Sequence, residues 1–175
     1  ILPDCVDCKM CINSCKFKAI EFHKEEKDEH VPDFNDYRGV AVYIEHEGNT
    51  VHKVSRELLG EATCLAEKLE THVLAFVVGD QNVKEMFDKL YSWGADRICY
   101  AEEQKMDRYM TQPCAKAITT FIKTEKPEIV LFGATHEGRD LAPRVANVLR
   151  VGLTADCTNL DIQEGGRALL QTRPA

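Results

Sequence analysis

The sequence contains no apolar run approaching the roughly 20 residues that a membrane-spanning helix needs. It shows no secretory signal near its first residue and no segment rich in Lys and Arg. The net charge of −7 also disfavours a surface that binds nucleic acid. We therefore expect neither a membrane span nor a nucleic-acid partner. Because the chain starts at Ile1 rather than Met, we expect it to be part of a longer polypeptide.

Motifs that hold nucleotide phosphates are also missing. No Gly-x-Gly-x-x-Gly follows the first apolar run, and residues 133–138 lack the Lys-Ser/Thr of a P-loop. The Ser-Gly-Gly-x-Asp-Ser loop of ATP pyrophosphatases is absent, as are a Ser–His–Asp arrangement and paired carboxylates suited to acid–base catalysis. The sequence therefore predicts a chain that does not hydrolyse nucleotides, and it offers no catalytic residue.

What the sequence does contain is a regular alternation of strand and helix patterns. Continuous apolar runs are typical of strands covered on both faces, and they lie at residues 39–44, 72–78, 97–100 and 129–132. Helical stripes separate these runs; Ser55 is expected to cap the first helix, and Tyr91 to lie on the buried stripe of the second. The pattern predicts an α/β fold with a mostly parallel, Rossmann-like open sheet flanked by helices.

The loop at residues 133–138 follows the last buried run and precedes a helix predicted to start near Arg139. Pro143 is expected in the first turn of that helix and Gly152 at its end, before a strand at residues 153–162. Ligands of open α/β sheets bind beyond the carboxyl ends of strands, and a helix N-terminus favours anionic groups. His136 and Arg139 lie at this position, whereas Arg144 leaves the helix on another side. The pattern alone leaves open a ligand site or simply solvated arginines.

Four of the eight cysteines form a tight run near the start of the chain: Cys5, Cys8, Cys11 and Cys15. The spacing Cys-x2-Cys-x2-Cys-x3-Cys is that of bacterial ferredoxins, in which thiolates hold a [4Fe–4S] cluster. Zinc is the alternative, although zinc sites usually take two pairs separated by a longer loop. Short loops of this length would strain disulfides.

Two further points about this run stay open. Cys15 completes the cluster if only one is present, but in two-cluster ferredoxins the fourth cysteine of such a run ligates the other cluster. The following residues 17–22 resemble a ferredoxin half-motif, although Lys16 stands where ferredoxins usually carry proline. Positive charge from Lys9, Lys16 and Lys18 would favour the reduced cluster and attract an acidic ferredoxin, or would serve solubility.

The remaining cysteines lie in or beside apolar patterns: Cys64, Cys99, Cys114 and Cys157. We expect them to be small buried side chains in a reducing compartment, and hence a cytoplasmic protein. Six charges within residues 23–30 predict a solvated linker. The predicted organisation is a ferredoxin-like segment at residues 1–22, a charged linker at 23–36, an α/β domain at 37–162 and a hinge at 163–175.

Several separated motifs resemble the α subunit of electron transfer flavoproteins: YRGV at residues 37–40, VSRELLG at 54–60, PEIVLFGAT at 127–135, GRDLAPRVA at 138–146 and GLTADCT at 152–158. The resemblance runs from about Tyr37 to Ala175, and the last six residues are similar to the hinge into that subunit's flavin domain. With a ferredoxin-like segment in front, the chain is most similar to α subunits of electron-bifurcating complexes.

The resemblance implies a fold like that of adenine-nucleotide hydrolases and a non-catalytic role in electron transfer. Its implied partners are an electron transfer flavoprotein β subunit, ferredoxin, and an acyl-CoA or lactate dehydrogenase. FAD is expected mainly in a further domain and in the β subunit, and the residues implied near the flavin are Arg139, Arg144, Thr154 and Asp156. The alternative function is a non-redox module that binds adenine nucleotides and carries a structural zinc site.

Overall fold

A computed structural model of the chain describes residues 10–17, 19, 34–103 and 109–174. The chain divides into two units, Ile1–Asp33 and Phe34–Ala175. In the first unit the described residues form one short helix, α1 (Met10–Ser14). The predicted four-part organisation stays a prediction, because its first boundary at residue 22 and most of the linker lie outside the described residues.

The second unit begins with a 3-10 turn at Phe34–Asp36 and then alternates strands with helices. Its strands, in chain order, are β1 (Val40–Tyr43), β2 (His46–Glu47), β3 (Thr50–Val51), β4 (Val73–Gly79), β5 (Arg97–Glu102), β6 (Ile129–Leu131), β7 (Asn159–Ile162) and β8 (Leu169–Thr172). Its helices are α2 (Lys53–Leu69), α3 (Phe87–Ser92), α4 (Thr111–Glu125) and α5 (His136–Leu149), with a 3-10 helix at Gln81–Met86. No helix in the described part of the chain combines the length and apolar character needed to traverse a bilayer.

The central sheet has the order β5-β4-β1-β6, and every neighbouring pair is parallel. The prediction of an α/β fold with a mostly parallel sheet flanked by helices is confirmed. The chain moves outward from β1 through β4 to β5 and then returns to place β6 on the other side of β1. This reversal creates a topological switch point at the carboxyl ends of β1 and β6, where open α/β sheets usually bind ligands.

Both faces of the sheet are covered, as the continuous apolar runs predict. On one face Val40 and Val42 pack in a cluster that includes Leu59 of α2. On the other face Ala41 and Tyr43 belong to a cluster with side chains of α4 and α5. Because successive strand residues point to opposite faces, a strand buried on both has no polar alternation.

Ser55 does not cap α2, contrary to the prediction. The helix begins two residues earlier, at Lys53, and its N-cap His52 makes no side-chain capping bond. Ser55 is buried, and its hydroxyl instead forms hydrogen bonds with the backbone of Glu45, just after β1. Its Oγ accepts from the Glu45 amide at 2.7 Å and donates to the Glu45 carbonyl at 3.2 Å.

Tyr91 was predicted to be buried, but its side chain is 50% exposed. The predicted single helix is divided into the 3-10 helix Gln81–Met86 and α3. The change from 3.0 to 3.6 residues per turn shifts the buried stripe, so that Val83, Met86 and Leu90 are buried and Tyr91 is turned outward.

The helix after β6 differs from the prediction at both ends. It begins at His136, so Pro143 lies in its interior, where the missing N–H leaves the carbonyl of Arg139 without its usual helical donor. It ends at Leu149, and Arg150 rather than Gly152 adopts the left-handed conformation that terminates it, with φ 55°.

The strand predicted at residues 153–162 is confined to β7. It pairs in antiparallel register with β8, which lies in the predicted hinge, to form a separate two-stranded sheet. Residues 151–155 have no regular structure, and residues 152–155 line a groove beside β6. Apolar alternation did not distinguish a strand that pairs from an extended segment that stays beside the sheet.

Candidate functional site

A buried carboxylate occupies the switch point. Glu45 follows β1 and is only 1% exposed. Its Oε1 accepts a hydrogen bond from Thr135 Oγ at 2.8 Å, and its Oε2 lies 3.9 Å from His52 Nδ1. Its backbone carbonyl accepts from the His52 amide at 2.9 Å. Glu45 therefore joins the end of β1, the start of α2 and the start of α5.

The loop between β6 and α5 is closed around this carboxylate. A Cβ atom added to Gly133 would lie 2.5 Å from Glu45 Oε1, and one added to Gly138 would collide with the Gly133 carbonyl oxygen. Both positions therefore require glycine for close approach, not for an unusual φ. The close packing leaves no space for a phosphate group between Gly133 and the Glu45 side chain.

A second, half-buried carboxyl group, that of Glu137, lies in the first turn of α5. Tyr43 is buried, and its hydroxyl donates to Glu137 Oε1 at 2.5 Å; Cys114 Sγ lies 3.7 Å from the same hydroxyl. Burial raises the pKa of Glu137 above its ordinary value, while the bond from Tyr43 opposes that rise. Burial is also the main cause of the raised pKa values of Tyr43 and Cys114. This pairing was missed from the sequence because its members lie on three separate elements.

The groove beside β6 brings together three of the four residues implied to lie near a flavin. It has a volume of about 540 Å³, and its lining includes Arg139, Thr154 and Asp156 together with apolar side chains such as Leu58 and Leu153. The Arg139 guanidinium donates to Asp156 Oδ1 from Nη2 at 2.8 Å and from Nε at 3.2 Å. The groove therefore offers apolar walls, one cation and the carboxyl groups of Asp156 and Glu128.

Asp156 adopts a left-handed backbone conformation, with φ 54°. Such a conformation is unfavourable for residues other than glycine, although Asp tolerates it better than most. Its carboxylate faces Arg139 across the groove, so the ion pair holds the segment that follows Gly152 against α5. Both side chains are more than half exposed, and the pair can therefore exchange partners at little cost.

Arg144 is not among the residues that line this groove. Its Nε donates to Asp140 Oδ1 at 3.1 Å, one turn back on α5. Asp140 Oδ2 also accepts from Thr111 at 2.6 Å and from Tyr109 at 2.8 Å. These bonds lower the pKa of Asp140, and the bond from Thr111 makes the largest contribution. Arg144 thus belongs to a network that joins α4 to α5, while His136 is exposed at the first position of α5.

The cysteine run is only partly within the described residues, since Cys5 and Cys8 lie outside them. Cys11 is exposed on α1, and Cys15 is half-buried just after it. The Ala19 amide donates to Cys15 Sγ at 3.4 Å, the kind of bond that tunes cluster thiolates. Within the ranges that the structure describes, no three His, Cys, Asp or Glu side chains form a metal-binding group. The [4Fe–4S] assignment stays a prediction.

The scattered cysteines were predicted to be buried, and this is only partly correct. Cys114 is buried, and Cys99 and Cys157 are half-buried. Cys64 is exposed on α2. It lies between Ala62 and Leu65 in the sequence, but these two side chains are on the buried face of the helix and Cys64 is on the opposite face. Proximity to apolar residues in sequence did not determine its position around the helix.

Residues 40–175 match the family described as "Electron transfer flavoprotein domain". The chain is similar to the electron transfer flavoprotein subunit alpha of Thermoanaerobacterium thermosaccharolyticum, with 46% identity over 141 residues, 81% of this chain and 42% of that protein. It is 44% identical to Protein FixB of Rhizobium meliloti over 144 residues, 81% of this chain and 40% of that protein.

A third relative is matched over a longer part of the chain. This is the lactate dehydrogenase (NAD(+),ferredoxin) subunit LctC of Acetobacterium woodii, with 37% identity over 171 residues, 98% of this chain and 40% of that protein. The chain spans about two fifths of the length of these curated relatives.

Proposed function

The chain belongs to the electron transfer flavoprotein family, in its α-subunit branch, and from this premise we propose that it is a non-catalytic electron-transfer subunit. It would relay electrons between a flavin reduced by NADH, a [4Fe–4S] cluster or ferredoxin, and a partner dehydrogenase. Its direct partner would be an electron transfer flavoprotein β subunit. FAD would be held mainly by a further flavin-binding domain and by the β subunit.

The observation that carries this proposal is the extent of the match to the LctC subunit. At 98% of the chain, that match leaves out at most about four residues, so it extends through the cysteine run at Cys5–Cys15. The other two relatives described above match 81% of the chain. Of the three relatives described above, the one matched through the leading segment has a name that includes NAD(+) and ferredoxin. This supports an electron-bifurcating role, with a lactate dehydrogenase favoured over an acyl-CoA dehydrogenase as partner.

The cysteine run fits a cluster by the chemistry of its donors. Cys11 and Cys15 present thiols that are accessible to a metal, and the Ala19 amide already points at one sulfur. A [4Fe–4S] cluster would supply transfer of single electrons, and a flavin would convert the two electrons of a hydride into single ones. Hydrogen bonds to the thiolate sulfurs and the solvent exposure of the cluster would then set its reduction potential.

The groove beside β6 fits the edge of a flavin ring better than a nucleotide phosphate. Its walls are largely apolar, and Arg139 supplies one positive charge that Asp156 partly neutralises. A guanidinium beside the ring would stabilise added negative charge, whereas the buried carboxyl group of Glu45 at the switch point would disfavour a phosphate there. We assign the flavin-facing role to Arg139, with Thr154 and Asp156 beside it. Arg144 supports the same helix from its other side.

The function is tested by preparing the chain anaerobically together with a β subunit and assaying iron, acid-labile sulfide and zinc. We expect iron and sulfide in equal amounts, with a broad visible absorbance that extends beyond the flavin bands and bleaches on addition of dithionite. Cys11→Ser should lose most of that absorbance. Cys64→Ser is the matched control, because Cys64 is exposed but lies outside the run.

Two results would contradict the proposal. A preparation that shows only the flavin bands and contains stoichiometric zinc, without iron or sulfide, would assign the cysteine run to a structural zinc site. Iron and sulfide that persist unchanged in both cysteine variants would place the cluster elsewhere in the complex.

A further inference from the structure

The start of α5 is attached to the sheet by a chain of hydrogen bonds that ends at the groove. Glu45 is its fixed point, because both its backbone and its side chain are engaged. Its amide donates to Ser55 Oγ at 2.7 Å, and its carbonyl accepts from the His52 amide at 2.9 Å. A carboxylate with these restraints in the protein interior has little freedom to move.

Thr135 connects this fixed point to the helix. Its Oγ donates to Glu45 Oε1 at 2.8 Å and accepts from the Gly138 amide at 3.0 Å. A carboxylate oxygen only accepts, so the single hydroxyl proton is directed towards Glu45 and a lone pair is left for Gly138. The same hydroxyl therefore caps the helix and joins it to β1, which an ordinary N-cap does not do.

Arg139 lies directly on this connection. Its amide donates to the Thr135 carbonyl at 3.0 Å, and its guanidinium lies in the groove beside Asp156. Gly138, the preceding residue, is held against the Gly133 carbonyl. The backbone of Arg139 is therefore fixed by its hydrogen bond to Thr135 and by the close packing of Gly138 against Gly133.

We propose that Thr135 and Glu45 are positioning residues for Arg139, which they hold at the flavin edge without touching the flavin. This inference rests on the proposed function of Arg139. Sequence patterns did not indicate it, because Glu45 and Thr135 are separated by 90 positions in the chain. The bond between them exists only because β1 and β6 are neighbours in the sheet.

The test measures the flavin midpoint potential in the complex of this chain with the flavin-bearing β subunit. Arg139→Gln removes the positive charge and should make the potential more negative, because the reduced anionic ring loses its partner. Thr135→Ala should shift the potential in the same direction by most of that amount. Thr135→Ser keeps the hydroxyl and should restore the original potential.

Asp80→Ala provides a matched control for loss of a helix cap. Asp80 Oδ1 accepts from the Asn82 amide at 2.9 Å, and this residue is not among those that line the groove. Asp80→Ala should destabilise the start of the 3-10 helix Gln81–Met86 while leaving the flavin potential unchanged. In the chain alone, Thr135→Ala should also speed hydrogen exchange at the Gly138 amide, and Asp80→Ala should not.

The outcomes separate this inference from the function on which it rests. If Arg139→Gln leaves the potential unchanged, the flavin-facing role of Arg139 is wrong. If Arg139→Gln shifts it but Thr135→Ala does not, the positioning role is overturned and the function stands. A shift in Asp80→Ala as large as that in Thr135→Ala would also overturn the positioning role, since general destabilisation would then explain both.

Discussion

The hydrogen bond between Tyr43 and Glu137 makes a pH-dependent contribution to stability that can be predicted with its sign. Tyr43→Phe removes the hydroxyl that donates to Glu137 Oε1 at 2.5 Å and leaves the ring in its apolar environment. The carboxyl group then remains partly buried without this donor. The change therefore removes this hydrogen bond, together with the longer contact of the same hydroxyl to Cys114 Sγ, with little loss of packing.

The magnitude follows from the charge of the acceptor. A hydrogen bond to a charged group contributes about 1.5–3 kcal/mol to the free energy of unfolding, and one between neutral groups about 0.5–1.5 kcal/mol. Tyr43→Phe should therefore cost about 2 kcal/mol when Glu137 is ionised and about 1 kcal/mol when it is protonated. With a urea m-value of about 2 kcal/mol per molar, the larger loss lowers the midpoint by about 1 M.

The direction with pH is set by the pKa of Glu137. Burial raises this pKa in the folded state, and the bond from Tyr43 holds it down. Loss of the bond therefore raises the folded-state pKa of Glu137 further. A carboxyl group with a raised folded-state pKa binds more protons when folded, so its contribution to stability falls as pH rises from the unfolded-state pKa through the folded-state one. The gap between wild type and Tyr43→Phe should thus widen with rising pH.

The assay is urea unfolding at several pH values between about pH 5 and pH 8, a range that lies above the ordinary carboxyl pKa. Fluorescence of Trp93, the single tryptophan, reports on the α/β unit that contains the pair. Glu137→Gln serves as the control background, in which Tyr43→Phe should have the same effect at every pH. A gap that is constant with pH in the original background, or that narrows as pH rises, would refute the reasoning.

Two further changes test the packing of the switch point and of the hairpin. Gly138→Ala should lower the free energy of unfolding by about 3 kcal/mol or more, because the new methyl group would collide with the Gly133 carbonyl. Gly60→Ala is the control, because Gly60 is in an open helical position, and it should raise the free energy of unfolding by about 0.5–1 kcal/mol. Urea unfolding of both variants measures this, and equal effects would show that the loop can relax. Arg167→Ala removes a two-pronged bond to Glu128, so it should accelerate hydrogen exchange in the β7–β8 hairpin while changing global stability by no more than about 1 kcal/mol. Unchanged exchange would mean that the hairpin is held by other contacts.

Family membership and the class of fold were both predictable from the sequence. Strands buried on both faces leave uninterrupted apolar runs such as residues 73–78, and this signal is local, so no knowledge of neighbouring strands is needed. The resemblance to electron transfer flavoprotein α subunits, which rested on separated motifs over residues 37–175, is confirmed by the family match at residues 40–175 and by the 46% identity to an electron transfer flavoprotein subunit alpha. Helix ends were less predictable, because Ser55 and Pro143 have capping preferences that burial and packing override.

The candidate site depended on the tertiary structure to a much greater degree. The sequence by itself determined that Arg139 and Arg144 leave their helix on different sides, because five residues along an α-helix do not return to the same face. Only the fold decided that Arg139 faces the groove, and that Glu45 occupies the switch point through a bond to a residue 90 positions away. The periodicity of apolar residues in the sequence indicates whether a position is buried. Which polar groups meet is set by strand order, because two distant segments become neighbours only when the sheet places them side by side.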